Sequence, residues 1–194
     1  MTTNDVRKLI SNNQLQQALS ACDQLELSDE LKSKLIALKA AYREYNNHRI
    51  DGDMRSDDLE ISRAGLTKRM LLFLSEYEIL YITDFKNDFV ALTDNIEQNV
   101  PPENKEAADA VVTEAKQIAT DMQVVDTAEK KEDIKPGLIQ RVGDFLAKFH
   151  DKDSTQSKIL SSIKDGVSVV QDLGKKYNSI AQWFLLPQIP TVLL

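Results

Sequence analysis

The scarcity of helix-breaking residues is the feature that most constrains the fold of this chain. Its 194 residues include only six glycines and five prolines, so regular elements can run long before they are interrupted. Between these breakers, apolar residues recur at spacings of three and four, which places them on one face of an α-helix. The sequence therefore predicts an all-α fold.

Two helical regions are expected, one on each side of residue 77. Residues 1–77 are predicted to form a small domain in which two short helices precede a long αα-hairpin. Its first long helix should begin at the capping residue Ser28 and reach about Asn47. Residues 78–194 are predicted to form a helical bundle or a coiled-coil-like region that ends in a long amphipathic helix and an apolar tail.

The acidic stretch "RIDGDMRSDDLE", residues 49–60, raises the question of a calcium site. Counted from Asp51, an EF-hand loop needs an oxygen ligand at position 5, glycine at position 6 and glutamate at position 12. This sequence has Arg55, Ser56 and Ser62 there. A turn between two helices accounts for the residues better, because Gly52 can take a positive φ and the acidic residues complement a helix N-terminus. We therefore expect a turn and no metal site.

The second region is divided by weaker signals. Residues 76–84 are rich in β-branched and aromatic side chains and are interpreted as a linker, with Asp84 capping the helix that follows. Pro102 should open another helix, and residues 126–137 should form a flexible surface connection. Apolar residues then repeat over about four heptads from residue 159 to Phe184, which predicts one long final helix.

Composition excludes several functional classes. A formal charge of −7 opposes electrostatic capture of nucleic acid, which depends on lysine and arginine. Cys22 is the only cysteine, so no intramolecular disulfide can form. No stretch approaches the roughly 18 apolar residues of a membrane span. We expect a cytoplasmic protein.

No set of residues with catalytic spacing is found. A nucleophile needs a base, and the only histidines, His48 and His150, lie in a polar run and at the end of an amphipathic helix. One cysteine and two separated histidines offer no zinc spacing. The stretch from Gly166 to Lys176 lacks the first glycine that a phosphate-binding loop requires. The expectation is a protein that is no enzyme and has no catalytic residues, metal or cofactor.

One stretch resembles a known family. Residues 35–74 combine a helix bearing Tyr42 and Tyr45, a glycine-containing turn, an acidic cap, a Glu-x-x-Arg pattern and a leucine-rich helix end. This pattern resembles the eleventh class of effector-associated domains, found among adaptors of bacterial conflict systems. The stretch "DVRKLISNNQLQQALSACDQL" resembles the short leading helices of the same family. The family's usual Asn-Arg-Ile after the glutamate is replaced by "ISRA", which keeps the arginine.

The resemblance implies a small helical adaptor that recruits effectors by homotypic contact in antiphage defence. The partner would be a protein carrying a related helical domain, and a homo-oligomer is a second expectation. Charges on the hairpin could then set partner choice, since charge patterns confer specificity more than affinity. The arginines proposed for this role are Arg43, Arg49, Arg63 and Arg69.

The most apolar part of the chain, "NSIAQWFLLPQIPTVLL", leaves two interpretations open. In one, Trp183, Phe184, Leu185, Leu186 and the residues after them fold back over the helical bundle. In the other, they bind a partner or a membrane surface, because exposed aromatic clusters mark binding sites. Membrane contact is not favoured, since Asp165 and Asp172 share the helix with the nearby lysines.

Three functions from different classes therefore stand beside one another. The leading one is the adaptor. The alternative is a membrane-acting cell-death effector that releases the last helix. The third is a small hydrolase, for which no sequence feature speaks.

Overall fold

The structure, a computed structural model, describes residues 2–151, 153–163 and 165–190. Within those ranges the chain forms eight α-helices and no β-strand, which confirms the all-α prediction. The helices are α1 (Thr3–Ser11), α2 (Leu15–Cys22), α3 (Asp29–Asp51), α4 (Ser56–Asn99), α5 (Lys105–Asp121), α6 (Pro136–Ala147), α7 (Thr155–Ser161) and α8 (Gly166–Trp183). The chain divides into two compact units, Met1–Glu78 and Ile79–Leu194, so the division falls within α4. The boundary predicted from the sequence lies after residue 77.

The first unit opens with two short helices that pack against each other. Thr2 and Asp5 form a capping box at the start of α1, in which the side chain of each residue accepts a hydrogen bond from the backbone N–H of the other. The chain then turns through residues 12–14, where Asn13 takes a φ of 61°. Asparagine tolerates this left-handed conformation better than most residues. The chain therefore turns between the two short helices that the sequence predicts.

The predicted hairpin forms from α3 and the beginning of α4. The Ser28 side chain accepts a hydrogen bond from the Leu31 N–H and caps α3. Gly52 ends the helix with a φ of 67°, which confirms its role in the turn. The helix continues through Asp51, beyond the predicted end at Asn47. Apart from Ile50, its last residues are polar and carry no apolar stripe by which to recognise them.

The linker predicted for residues 76–84 is wrong, and so is a helix beginning at Asp84. Both stretches lie inside α4, which runs without interruption for 44 residues. The β-branched and aromatic side chains are accommodated because Ile82 and Phe85 are fully buried at helical spacing. Burial of this kind overrides the weak intrinsic preference of such residues for strands.

The second unit buries a cluster of aromatic rings. Phe145 lies 5.5 Å from both Phe89 and Phe149, measured between ring centroids, and meets each ring edge-on. Pro102 opens a three-residue 3-10 turn, and α5 starts after it at Lys105. The helix predicted to open at Pro102 therefore begins three residues later.

The connection over residues 126–137 is more ordered than predicted. It carries a 3-10 turn, Lys131–Asp133, and Ile134 is completely buried. The Lys131 ammonium is also buried and donates a hydrogen bond to the Trp183 carbonyl at 3.4 Å. A charged segment was expected to stay on the surface. The buried Lys131 and Ile134 hold this segment against the rest of its unit.

The prediction of a single final helix from residue 159 is wrong, because α7 ends at Ser161 and a separate helix, α8, begins at Gly166. Asp165 takes a φ of 60° before α8 begins. A methyl group built at Gly166 would lie 2.9 Å from Leu160 Cδ1 and 3.0 Å from the Leu160 carbonyl oxygen, so glycine suits this close approach to Leu160. The heptad pattern predicted the wrong structure because the apolar spacing continues across the interruption between the two helices.

Candidate functional site

The most unusual part of the first unit is the outer half of its hairpin. No side chain from residue 39 to residue 65 is buried, although the flanking Leu38 and Leu66 are each 5% exposed. We call residues 39–65 the hairpin arm. Several of its apolar side chains, among them Tyr45, Met54 and Leu59, are only partly buried, so packing within the unit stabilises this part of the hairpin less than the rest. The arm is therefore a surface whose apolar atoms remain in contact with water.

Large apolar side chains are exposed on and beside the hairpin arm. Ile50 and Ile61 within the arm are 67% and 70% exposed, and Ile36 and Leu72 next to it are 67% and 59% exposed. Half of the large exposed hydrophobic side chains described in the structure thus lie on α3 and α4 of this unit. Each of these side chains lies off the apolar stripe of its helix. The sequence therefore indicates that they are exposed, although this was not predicted.

The four arginines predicted to bind a partner do not gather in one patch. Arg43 lines a groove between α2 and α3, Arg63 lines a groove between α1 and α4, and Arg69 lies between α3 and α4. Arg49 donates a hydrogen bond to Asn46 Oδ1 at 3.0 Å. None of the four forms an ion pair with another described residue. Their charges are available to a partner.

The groove beside Arg63 combines apolar and basic groups. Its volume is about 590 Å³. Its lining includes Ile10, Leu71 and Leu72 as apolar residues, with Arg63 and Lys68 as cations. A partner surface with an apolar centre and acidic residues at its edge would be complementary to this groove.

A buried ion pair fixes α1 against α4. The Glu78 carboxylate is completely buried and accepts a hydrogen bond from Arg7 Nη2 at 2.8 Å. Thr3 donates its hydroxyl to the same carboxylate, and Arg7 also donates to Ser75 Oγ at 3.3 Å. Sequence reasoning missed this contact, since its partners lie 71 positions apart. It holds one wall of the groove against the other.

The cysteine and the two histidines considered for chemistry each lie in a different setting. Cys22 is buried, and desolvation raises the pKa of its thiol to about 11. A thiol held protonated is a poor nucleophile. His48 pairs with Asp53 at 2.9 Å in the hairpin turn, and both ring nitrogens of His150 are buried without a hydrogen-bond partner among the described residues. Nowhere in the described ranges do three potential metal-binding side chains cluster.

The four apolar residues at the end of α8 are not exposed together. Trp183 is 6% exposed and packs edge-on against Tyr81, with 5.2 Å between ring centroids. Phe184 and Leu186 are partly buried, whereas Leu185 is 87% exposed. After Leu185 the chain folds back along α8. Among the described helices, none has the length and apolarity needed to cross a membrane.

Comparison with known proteins concerns the first unit. The family model of effector-associated domain 11 matches residues 1–78. This match confirms the resemblance inferred from the hairpin, and its limits coincide with those of the first compact unit. No curated protein and no solved structure matches the chain.

Proposed function

We propose that this chain is a non-enzymatic adaptor of a bacterial conflict system, acting in the cytoplasm in defence against phage. Its first unit would recruit an effector that carries a related helical domain, through contacts between helices of both partners. The match of residues 1–78 to an effector-associated domain supports this role, as does the coincidence of the match with one compact unit.

The hairpin arm is the observation that carries the proposal. Helices usually bury one stripe of side chains, but 27 consecutive residues here bury none. Burying Ile61 and Ile50 against a partner would remove apolar surface from water, at about 25 cal/mol for each Å² buried. A partner's helices would thus supply the packing that the arm lacks within its own unit.

The uncommitted arginines would give this contact its selectivity. Arg63 and Arg69 make no ion pair with described residues, and the exposed Ile61 and Leu72 lie on the same helix, α4. An apolar contact flanked by cations favours partners with acidic residues at matching positions and rejects basic ones. Selectivity among related helical domains would follow from these charges.

The test measures binding to proteins that carry effector-associated domains and are encoded next to this chain. A double variant, Ile61→Ser with Arg63→Glu, should weaken binding at least tenfold, about 1.4 kcal/mol. Its melting temperature should stay close to the original, because Ile61 is 70% exposed and Arg63 makes no ion pair with a described residue.

A matched control places the same kinds of change on the second unit. Val124 is 42% exposed and Lys105 is exposed, so Val124→Ser with Lys105→Glu repeats the loss of an apolar side chain and the reversal of a charge. The control should bind normally. Equal binding by the arm variant and the control would refute the proposed use of the arm.

A further inference from the structure

The chain reverses direction immediately after α8. The Leu185 N–H donates to the Gln182 carbonyl at 3.3 Å, and the Leu186 N–H donates to the Ala181 carbonyl at 2.8 Å. This pair of hydrogen bonds is the Schellman motif, whose left-handed position is usually glycine. Leu185 occupies it with a φ of 57°. The reversal therefore holds a non-glycine residue in a strained conformation.

Residues 186–190, which we call the return segment, are held by α8 mainly through their backbone. The Asn178 side chain donates to the Ile189 carbonyl and accepts from the Ile189 N–H, both at 2.8 Å. Tyr177 donates its hydroxyl to the Pro187 carbonyl at 3.3 Å. Main-chain hydrogen bonds of this kind recognise an extended peptide whichever chain provides it.

The surface of α8 is shaped for a close-lying strand of backbone. A methyl group built at Gly174 would lie 3.8 Å from both Ile189 Cδ1 and the Pro190 carbonyl oxygen, an ordinary van der Waals distance, so the return segment lies directly against α8 at this residue. Pro187 and Pro190 restrict the residues that precede them, Leu186 and Ile189, to extended conformations. A segment already extended loses less conformational entropy when it binds. An apolar segment that contains prolines is therefore well suited to bind along α8.

We propose that Gly174, Tyr177 and Asn178 form a peptide-binding site that takes the return segment of a second copy of this chain. Two copies would exchange their segments reciprocally, giving a closed two-fold dimer. The second copy's segment has the same sequence, so it makes the same hydrogen bonds with Asn178 and Tyr177. The dimer would be favoured by relief of the strain at Leu185, because its φ can become negative when the chain no longer reverses.

The conformation required at residue 185 provides a graded test, because its side chain is 87% exposed and can be replaced without loss of packing. Glycine at this position accepts a positive φ, a β-branched residue resists it more than leucine, and proline forbids it. Light scattering across a concentration series should therefore give a dimer that strengthens in the order Leu185→Gly, unaltered chain, Leu185→Val, Leu185→Pro. Each step should change the dimer dissociation constant by roughly tenfold, as expected for strain of this kind.

Removal of the Asn178 clamp distinguishes segment exchange from other dimers. Adding Asn178→Ala to Leu185→Pro should return the protein to monomer, whereas adding Gln188→Ala, an exposed position, should leave the dimer intact. A Leu185→Pro dimer that survives Asn178→Ala overturns the proposal, because its contact lies elsewhere. If Leu185→Pro does not fold, the comparison of Leu185→Val with Leu185→Gly decides, and equal dissociation constants for those two overturn it. Neither result bears on the proposed use of the hairpin arm.

Discussion

The two units are built from helices in opposite ways. The second unit buries large rings in its core, among them Phe85, Phe89, Phe145 and Tyr177, each no more than 1% exposed. The first unit has a smaller, mainly aliphatic core and then extends its longest hairpin through residues 39–65 with no side chain buried. Both units are all-helical and both bury a core, but only the first extends a long helical hairpin beyond its core. Core residues and hairpin residues of the two units should therefore respond differently to substitution.

The aromatic core of the second unit gives the largest expected effect. Phe145→Ala removes a ring that meets Phe89 and Phe149 edge-on, and it should lower the free energy of unfolding by about 4 kcal/mol. Trp183 is the only tryptophan, so its fluorescence during urea unfolding follows this unit. Val124→Ala, at a 42% exposed position, should change stability by less than about 0.5 kcal/mol. Equal losses for both variants would contradict the description of this core.

In the first unit the largest effect is expected from a buried charge. Glu78→Ala leaves the Arg7 guanidinium without the carboxylate that it meets at 2.8 Å, and loss of one partner of a buried pair should cost about 3 kcal/mol. Glu76→Ala, two residues away, removes an exposed partner of Lys34 and should cost about 0.5 kcal/mol or less. Thermal unfolding followed by circular dichroism compares the two. A larger loss for Glu76→Ala would show that the ion pair at Glu78 does not hold the unit together.

The buried thiol of the first unit predicts a dependence on alkaline pH. The pKa of Cys22 is raised by burial from 9.0 to about 11, so the unfolded chain releases this proton first as pH rises. Stability should therefore fall through this range, by about 1 kcal/mol between about pH 8 and about pH 10. Urea unfolding at several pH values should show this part of the decline in the unaltered chain and not in Cys22→Ala. Parallel curves for the two proteins would disprove it.

The smallest expected changes in stability come from replacing two glycines of the hairpin, Gly52 and Gly65. A methyl group at Gly52 or Gly65 would meet no atom within 4 Å, but Gly52 has a φ of 67° and Gly65 lies inside α4. Gly52→Ala should lower stability by roughly 0.5–1 kcal/mol, while Gly65→Ala should raise it by a similar amount. The two melting temperatures should thus shift in opposite directions. Shifts of the same sign would mean that packing, absent at both positions, governs the hairpin after all.

Sequence reasoning succeeded where a single residue type sets the local geometry. Ser28 at a helix start and Gly52 after a helix end follow from capping chemistry, which needs no knowledge of the tertiary fold. The turn before Leu15 was predictable for the same reason. These features depend on hydrogen bonds between residues close in sequence.

The uninterrupted course of α4 could not be predicted in this way. Glu78 occupies a position of the buried stripe that continues through Ile82, Phe85 and Phe89, and a carboxylate there disguises the apolar period. Arg7 and Thr3, which lie 71 and 75 positions away, pair with this carboxylate and make its burial tolerable. The break before Gly166 was missed for a related reason, because a close approach to Leu160 decides it.

The candidate interaction surface was predicted only in part. Its arginines were named from charge alone, and the structure distributes Arg43, Arg63 and Arg69 over separate parts of the unit. The hairpin arm was not foreseen, since a pattern of apolar residues indicates which face could be buried and does not show whether anything covers it.

The arm also determines where a protease would first attack the folded chain. Helix ends without buried side chains open by local unfolding at little free energy, and Arg49 and Arg55 lie exposed on either side of the Gly52 turn. Brief digestion with trypsin should cut there before anywhere else in the first unit. The two pieces would remain associated, because Leu35, Leu38, Leu66 and Met70 still pack below the cut. A nicked molecule that keeps its helical circular dichroism would thus be the natural product of limited proteolysis.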